Sequence, residues 1–367
     1  MALTKVIFPY GISVYGGLEA PNYDVNLLND FAQIKAASEY WHANTIRLQV
    51  AESNLFTNIP YGQKYNTNFL ALLNSEVDYA HSLNMAVVIN DQTEFTNNSP
   101  SPTNQTAKFW QIIANQYKSK SYVIFDIFNE PRVVTAQPDY TPNKLRQAHI
   151  LLTYPQATEH RASNRLSVSQ VWGIWKNGGV VNGVNYLGMQ DIVNTIRLED
   201  AHNIIWIEGA YGARKLPPNN SYLLNGSNLV YDIHHPDLNV KTSWNRIGSL
   251  SQIRPVVDGE WAQYQSDWAE CYSDAYTNAP AYLSFLESHN IGVIAWSLQA
   301  DSLVTGDGRV QPNNLNTLSD PLKASDLRYP SNIRPNYSCD PGGHGQGVGE
   351  LLQEYFNKNS KPILDSQ

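Results

Sequence analysis

The chain has 367 residues, 42% of them hydrophobic and only 16% charged, with a formal net charge of −8. That is ample apolar material for one large core and too ordinary a balance for a disordered chain. The acidic excess argues against a nucleic-acid partner, which would need a basic stripe. No run approaches the roughly 18 apolar residues of a membrane span, so a membrane partner is not expected either. Nine Trp and 22 Tyr are many for this length. Their flat rings with polar rims suit sugar faces, though large cores use such rings too.

In chain order, strand-like runs are expected at Ile12–Tyr15, Thr45–Val50, Met85–Asn90, Val123–Phe128, Ile204–Glu208, Leu229–His234, Pro255–Gly259 and Gly292–Ser297. Their near-continuous apolarity suits parallel strands buried on both faces. Amphipathic helical stretches lie between them at Val25–Trp41, Phe69–Leu83, Ala107–Tyr117, Met189–Asp200 and Ala279–Ser288, with a last one at Gly349–Phe356. Gly209–Asn228, after the fifth strand, holds no convincing helix.

Strand and helix alternating eight times predict a closed (β/α)₈ TIM barrel, spanning 1–367 as a single domain. No Gly-x-Gly-x-x-Gly follows the first strand, and there is no phosphate loop. Two long segments break the rhythm, Arg132–Gly188 after strand four and Gln299–Gln346 after strand eight. Both leave the C-terminal ends of strands, the face where barrels carry their sites. Tyr140, Trp172, Trp175 and Tyr186 give the first of them the apolar mass to fold down as a wall at one end of a cleft.

Two segments carry chemistry. In Val123-Ile-Phe-Asp-Ile-Phe-Asn-Glu-Pro131 a buried strand runs out into Asn129 and Glu130. A carboxyl group half in an apolar wall suits a general acid, and Asn129 beside it suits a sugar hydroxyl. In Arg254-Pro-Val-Val-Asp-Gly-Glu-Trp261 a second strand ends in Glu260, with aromatic Trp261 next to it. Two carboxylates across a barrel mouth are what glycoside hydrolysis needs, one to protonate the leaving oxygen and one to attack the anomeric carbon. Asp126, a polar residue inside an apolar strand, reads as a bonded member of a barrel layer. Asp91, Glu94 and Asp301 read as solvated or hydrogen-bonded acids near the mouth. No metal or cofactor is expected: the His residues form no His-x-x-x-His pair, there is no Cys cluster, and Thr305–Gly308 reads as a turn.

On these residues, in this order along nearly the whole chain, the sequence resembles glycoside hydrolase family 5, the cellulase-type family of barrel glycosidases. The resemblance implies a retaining β-glycosidase with Glu130 as acid/base and Glu260 as nucleophile. It also implies substrate-binding roles for Arg47 in Asn44-Thr-Ile-Arg-Leu-Gln49, for His234 in Tyr231-Asp-Ile-His-His235, and for Trp296 in Ala295-Trp-Ser297. Trp261 joins them as an aromatic neighbour of the nucleophile. Two positions depart from the family pattern. Gln92 stands where a histidine usually follows strand three, and Pro236 where a tyrosine usually follows the strand-six histidine. Tyr264 or His235 is the expected replacement for that tyrosine.

The implied substrate is a β-linked glucan or oligosaccharide. Exo-acting or transglycosylating action on short glycosides is the alternative, and a sugar-binding barrel without catalysis the reading from another class. A monomer is expected. Met1–Lys5 lacks a leader pattern; an extracellular protein whose leader lies outside this sequence is the favoured reading, a cytoplasmic one the other. A bridge between Cys271 and Cys339, joining the units after strands seven and eight, fits the extracellular setting.

Overall fold

The computed structural model describes residues 8–14, 27–57, 65–93, 99–133, 166–181, 183–234, 236, 241–261, 275–298, 303–305, 322–332 and 347–361. Eight parallel strands close into one barrel: β1 Tyr10–Val14, β2 Thr45–Val50, β3 Ala86–Asp91, β4 Val123–Asp126, β5 Ile205–Glu208, β6 Leu229–His234, β7 Val256–Trp261 and β8 Gly292–Ala295. Each strand pairs with its neighbours in sequence, and β1 closes on β8 with Tyr10 opposite Val293. Gly11 lies opposite Thr45 where β1 pairs with β2; a β-carbon there would sit 2.5 Å from the Thr45 carbonyl oxygen. This is the expected (β/α)₈ TIM barrel.

Side chains alternate along each strand, so every strand feeds two layers. Outward residues such as Val87, Ile89, Phe125, Ile207 and Val293 join the large core beneath the helices. Inward residues form a separate small plug of Ala86, Val88, Ile124, Trp206, Val257 and Ile294. Two residues past Val88, Ile124 and Trp206 the inward positions turn polar at Asn90, Asp126 and Glu208, and Arg47, Asp232, His234 and Glu260 from the other strands join them. The apolar plug is thus a floor, and the polar layer stands on it at the C-terminal face.

Strand β7 needs a device to do this. Opposite β6 its register jumps from Ile233–Asp258 to His234–Glu260, which leaves Gly259 as an extra residue, a β-bulge. The bulge turns Glu260 inward and sends Trp261 outward. A glycine is required, because a β-carbon on Gly259 would lie 2.0 Å from Asp232 Oδ2.

The helical layer agrees with the sequence reading at Leu27–Glu39, Thr67–Ser82, Asn104–Tyr117, Met189–Leu198, Ala275–Ser288 and Gly349–Asn359, with ends shifted by a few residues. Thr103 and Ser167 cap their helices through side-chain bonds to backbone N–H groups. Helices at Glu52–Phe56, Val168–Asn177 and Lys241–Ser251 were not anticipated. After β5 the described chain holds only a short 3₁₀ turn, Asn220–Tyr222, as expected.

In the first long segment, Val168–Asn177 is followed by a two-stranded hairpin, Gly179–Val181 with Val184–Tyr186. Trp172 is buried there against Trp175, Tyr211 and Tyr222, and Trp175 is buried beside it, so both rings lie inside the packing of this segment. Tyr186 is buried as well. Tyr140 lies outside the described residues, as do Cys271 and Cys339. The described part of the second long segment docks by a bond from Trp41 Nε1 to the Leu327 carbonyl, 2.8 Å.

Candidate active site

The polar layer is organised around Arg47, which β2 sends into the barrel with no solvent exposure. Its guanidinium donates four bonds: Nε to Asp126 Oδ2 at 2.9 Å, Nη1 to Glu260 Oε1 at 2.5 Å, and Nη2 to Asn129 Oδ1 at 2.8 Å and Glu208 Oε1 at 3.1 Å. A planar fork can hold partners on several edges at once, which an ammonium cannot. Burial opposes the charge on Arg47, but Glu260, Asp126 and Glu208 outweigh it and keep the guanidinium protonated.

His234 stands on the opposite side of the same carboxylates. Its Nδ1 is 3.6 Å from Glu130 Oε1 and from Glu260 Oε2, and its Nε2 is 3.4 Å from Glu208 Oε1. Burial alone would lower the imidazole; Glu208, Glu260 and Asp232 together hold it well above its ordinary range. Burial also pushes Asp126 up to about 6 against the pull of Arg47, and pushes Glu208 well above the usual carboxylate range. So many acids in one dry layer cannot all ionise.

Glu130 and Glu260 face each other across this layer. One oxygen of each, together with a ring nitrogen of His234, lie within 4.8 Å of one another. Glu260 is 3% exposed and Glu130 6%, while Glu208 is wholly buried. The pair therefore forms the solvent edge of the cluster. Glu130 follows β4, whose ladder ends at Asp126, and its backbone adopts φ +42°. Arg132, two residues on, places its Nη2 against Glu130 Oε2. Its guanidinium lies over Gly212, where an added β-carbon would meet Arg132 Nε at 3.0 Å.

Arg47, Asn129, Glu130, His234 and Glu260 are thus brought together. Trp296, just past β8, is buried with 8% exposure outside the main apolar clusters, and its backbone N–H donates to the Trp261 carbonyl at 2.7 Å. Trp261 does not join the site. The bulge sends its ring outward against Tyr282, with centroids 5.8 Å apart, so it is a core residue. Asp258, facing the same way, accepts from the Tyr282 hydroxyl at 2.8 Å. Gln92 is buried and accepts from Gln49 Nε2 at 3.0 Å. Pro236 is buried; Tyr264, His235, Glu94 and Asp301 lie outside the described residues.

Three members of the cluster were not read from the sequence as site residues: Glu208, Asp232 and Arg132. The signal for Glu208 was present, since Ile205-Trp-Ile-Glu208 is an apolar strand ending in a carboxylate, as in the two segments that were singled out. Asp232 sits inside a predicted strand, where an acid must face the barrel interior to find partners. Its Oδ1 accepts from Gly259 N at 2.7 Å. Nothing in the local pattern marks Arg132.

Two carboxylates beside an arginine at the C-terminal mouth of a (β/α)₈ barrel are a grouping that suits glycoside hydrolysis. The chain matches the family model for cellulase (glycosyl hydrolase family 5) over residues 21–302, and it belongs to that family. It is a glycoside hydrolase of cellulase type. No curated protein matches it in sequence.

Among solved structures, it is similar to the catalytic domain of Thermobifida fusca endoglucanase Cel5A. That match has 16% identity and a TM-score of 0.56, covering 96% of this chain and 92% of that one. An endocellulase from Pyrococcus horikoshii, solved with cellotetraose, matches at 18% identity and TM-score 0.56, covering 86% and 93%. An endo-β-1,4-glucanase from Xanthomonas axonopodis matches at 15% and 0.55, covering 96% and 100%. At these identities the likeness establishes the fold. No helix among the described residues is long and apolar enough to cross a membrane.

Proposed function

We propose that the protein hydrolyses β-linked glucan or cello-oligosaccharides with retention of configuration, through a covalent glycosyl-enzyme. The observation that carries this is the closeness of Glu130 and Glu260, with facing oxygens within 4.8 Å. Retaining glycosidases hold their carboxyl groups about 5–5.5 Å apart, whereas inverting ones leave about 6.5–9.5 Å for a water. Membership of the cellulase family and the cellotetraose bound by the Pyrococcus horikoshii neighbour favour a β-glucan chain as substrate.

In this reading Glu260 is the nucleophile. Arg47 holds its Oε1, so Oε2, on the His234 side, attacks the anomeric carbon. Glu130 gives its proton to the glycosidic oxygen as the bond to the leaving sugar breaks. In the second step ionised Glu130 takes a proton from water, which attacks the same carbon and releases Glu260. The Arg132 contact suits that second step, in which Glu130 is an anion. Asn129, oriented by Arg47, and Trp296 are assigned to the bound sugar.

Kinetics of two variants test the assignment. Glu130→Ala should still form the glycosyl-enzyme from aryl β-cellobiosides with good leaving groups, and azide should speed its turnover. Glu260→Ala should lose several orders of magnitude on every substrate, and azide should yield a product of inverted configuration. A Glu260→Ala enzyme near the wild-type rate overturns the reading.

A further inference from the structure

Glu208 is given no task by the two-carboxylate mechanism, yet it touches most of the groups that have one. It ends β5 wholly buried. Its Oε2 accepts the backbone N–H of Glu130 at 2.5 Å, and its Oε1 accepts from Arg47 Nη2 at 3.1 Å and lies 3.4 Å from His234 Nε2. The first contact joins it to the peptide that carries the acid/base. The second joins it, through the same guanidinium, to Glu260.

The Glu130 peptide needs holding. Between Asp126 and Glu130 the chain leaves the ladder: Ile127 N still reaches the Trp206 carbonyl, and Asn129 N turns to the Asp91 carbonyl. One residue later, at φ +42°, Glu130 adopts a left-handed conformation that a residue with a β-carbon keeps only where its surroundings fix it. In that conformation its N–H points at the end of β5 and meets the Glu208 carboxylate in place of a strand carbonyl. The φ angle of Glu130 sets where its own carboxyl group projects, so the contact that fixes one fixes the other.

We infer that Glu208 is a positioning residue for catalysis: it clamps the left-handed Glu130 peptide and so sets where the acid/base carboxyl group projects. This rests on the proposed roles of Glu130 and Glu260. The rival is a plain structural role, Glu208 serving only as a counter-ion for buried Arg47. The two differ in which chemical step suffers. A misplaced acid fails only substrates whose leaving group needs a proton, and a displacement near 1 Å can cost about 100-fold. A disturbed Arg47 acts on Glu260, which every substrate requires.

The experiment compares kcat/KM, which reports the first glycosyl transfer, on two probes. Cellotetraose loses a sugar alcohol that needs a proton; dinitrophenyl β-cellobioside loses a phenolate that does not. Three variants are measured beside the wild type: Glu208→Ala, Glu208→Gln and Glu130→Ala. In Glu208→Gln the charged Arg47 and His234 claim the remaining carbonyl oxygen, so the amide nitrogen falls opposite the Glu130 N–H and the clamp opens. Expected are a fall of about 100-fold on cellotetraose and less than about 5-fold on the aryl glycoside for either Glu208 variant. Should Glu208→Ala fail to fold, Glu208→Gln, nearly isosteric, carries the comparison.

Equal losses on the two probes, or no loss on either, overturn the clamp. Glu130→Ala must itself show the selective loss, in stronger form. If it does and the Glu208 variants do not, only the clamp fails. If Glu130→Ala loses both probes equally, the acid/base assignment falls and takes the clamp with it.

Discussion

Arg47→Met removes the guanidinium that Asp126, Asn129, Glu208 and Glu260 share, and keeps a long side chain in its place. Removing one partner of a buried ion pair costs about 3–5 kcal/mol, because the other charge stays behind in a dry site. Four charge-assisted bonds at about 1.5–3 kcal/mol each would suggest more. The stranded carboxylates limit the loss by taking up protons. We expect about 4 kcal/mol at pH 8. With an unfolding entropy of about 2.1 cal/mol/K per residue over 367 residues, that corresponds to a fall in Tm of about 5 °C.

The loss should depend on pH, and the sign follows from Asp126. Its folded pKa of about 6 lies above the ordinary value of 3.8. Its contribution to stability is therefore present below the unfolded pKa and is lost as pH rises through about 6. Without Arg47 the folded pKa moves higher still, so the variant suffers this loss more fully between pH 5 and 8. Thermal or urea melts of both proteins across that range measure it. A difference below about 1 kcal/mol that does not grow with pH would refute the view of Arg47 as the cation holding this layer together.

Three further substitutions probe the site and the core behind it. Gly259→Ala places a β-carbon against Asp232 and should unseat the bulge that presents Glu260. A fall of about 100-fold in kcat is expected with the melting temperature lowered, and unaltered kinetics would refute it. Trp296→Ala should raise KM, and because the ring is also buried it should cost roughly 2–4 kcal/mol of stability as well. Trp261→Ala, which empties part of the core against Tyr282, should cost about 3–5 kcal/mol and leave KM nearly unchanged. Melts give both costs, Michaelis–Menten kinetics on a soluble glucan separate the two, and the reverse pattern of KM would overturn this division.

The barrel was legible because parallel strands buried on both faces leave apolar runs, and eight of them recur at helix-length intervals. Glu130 and Glu260 were legible because each interrupts such a run at its end. Glu208 ends a run in the same way, and was passed over for want of a role in a two-carboxylate scheme. Trp261 was placed at the site as the sequence neighbour of Glu260, but adjacent strand residues point to opposite faces, so an inward Glu260 goes with an outward Trp261. Gly259 was the available sign that alternation breaks there, although a glycine in a strand marks either a bulge or a close approach. The helices at Val168–Asn177 and Lys241–Ser251 escaped notice for different reasons. The first lies inside a long segment read as loop. The second has polar residues through most of its length, and Trp244, Ile247 and Leu250, though at helical spacing, are too few to stand out.

The aromatic residues after β4 bear on how the cleft is bounded. Trp175 donates its indole N–H to the Glu208 carbonyl at 3.0 Å, and Trp172 packs edge-on against it with ring centroids 5.1 Å apart. Tyr211 and Tyr222, from the connection after β5, each lie with centroids 6.1 Å from Trp172. The helix Val168–Asn177 is therefore fastened to the end of β5 by its aromatic face, and that face is not presented to substrate. Trp172→Leu should then cost roughly 2–4 kcal/mol through lost packing. It should leave the lengths of the oligosaccharides released from a soluble β-glucan unchanged, because no ring bordering a bound chain is altered. Urea melts give the first quantity and product chromatography the second. A stable variant with a shifted product ladder would mean that Trp172 borders the substrate, and the helix would have to be reassigned from scaffold to cleft wall.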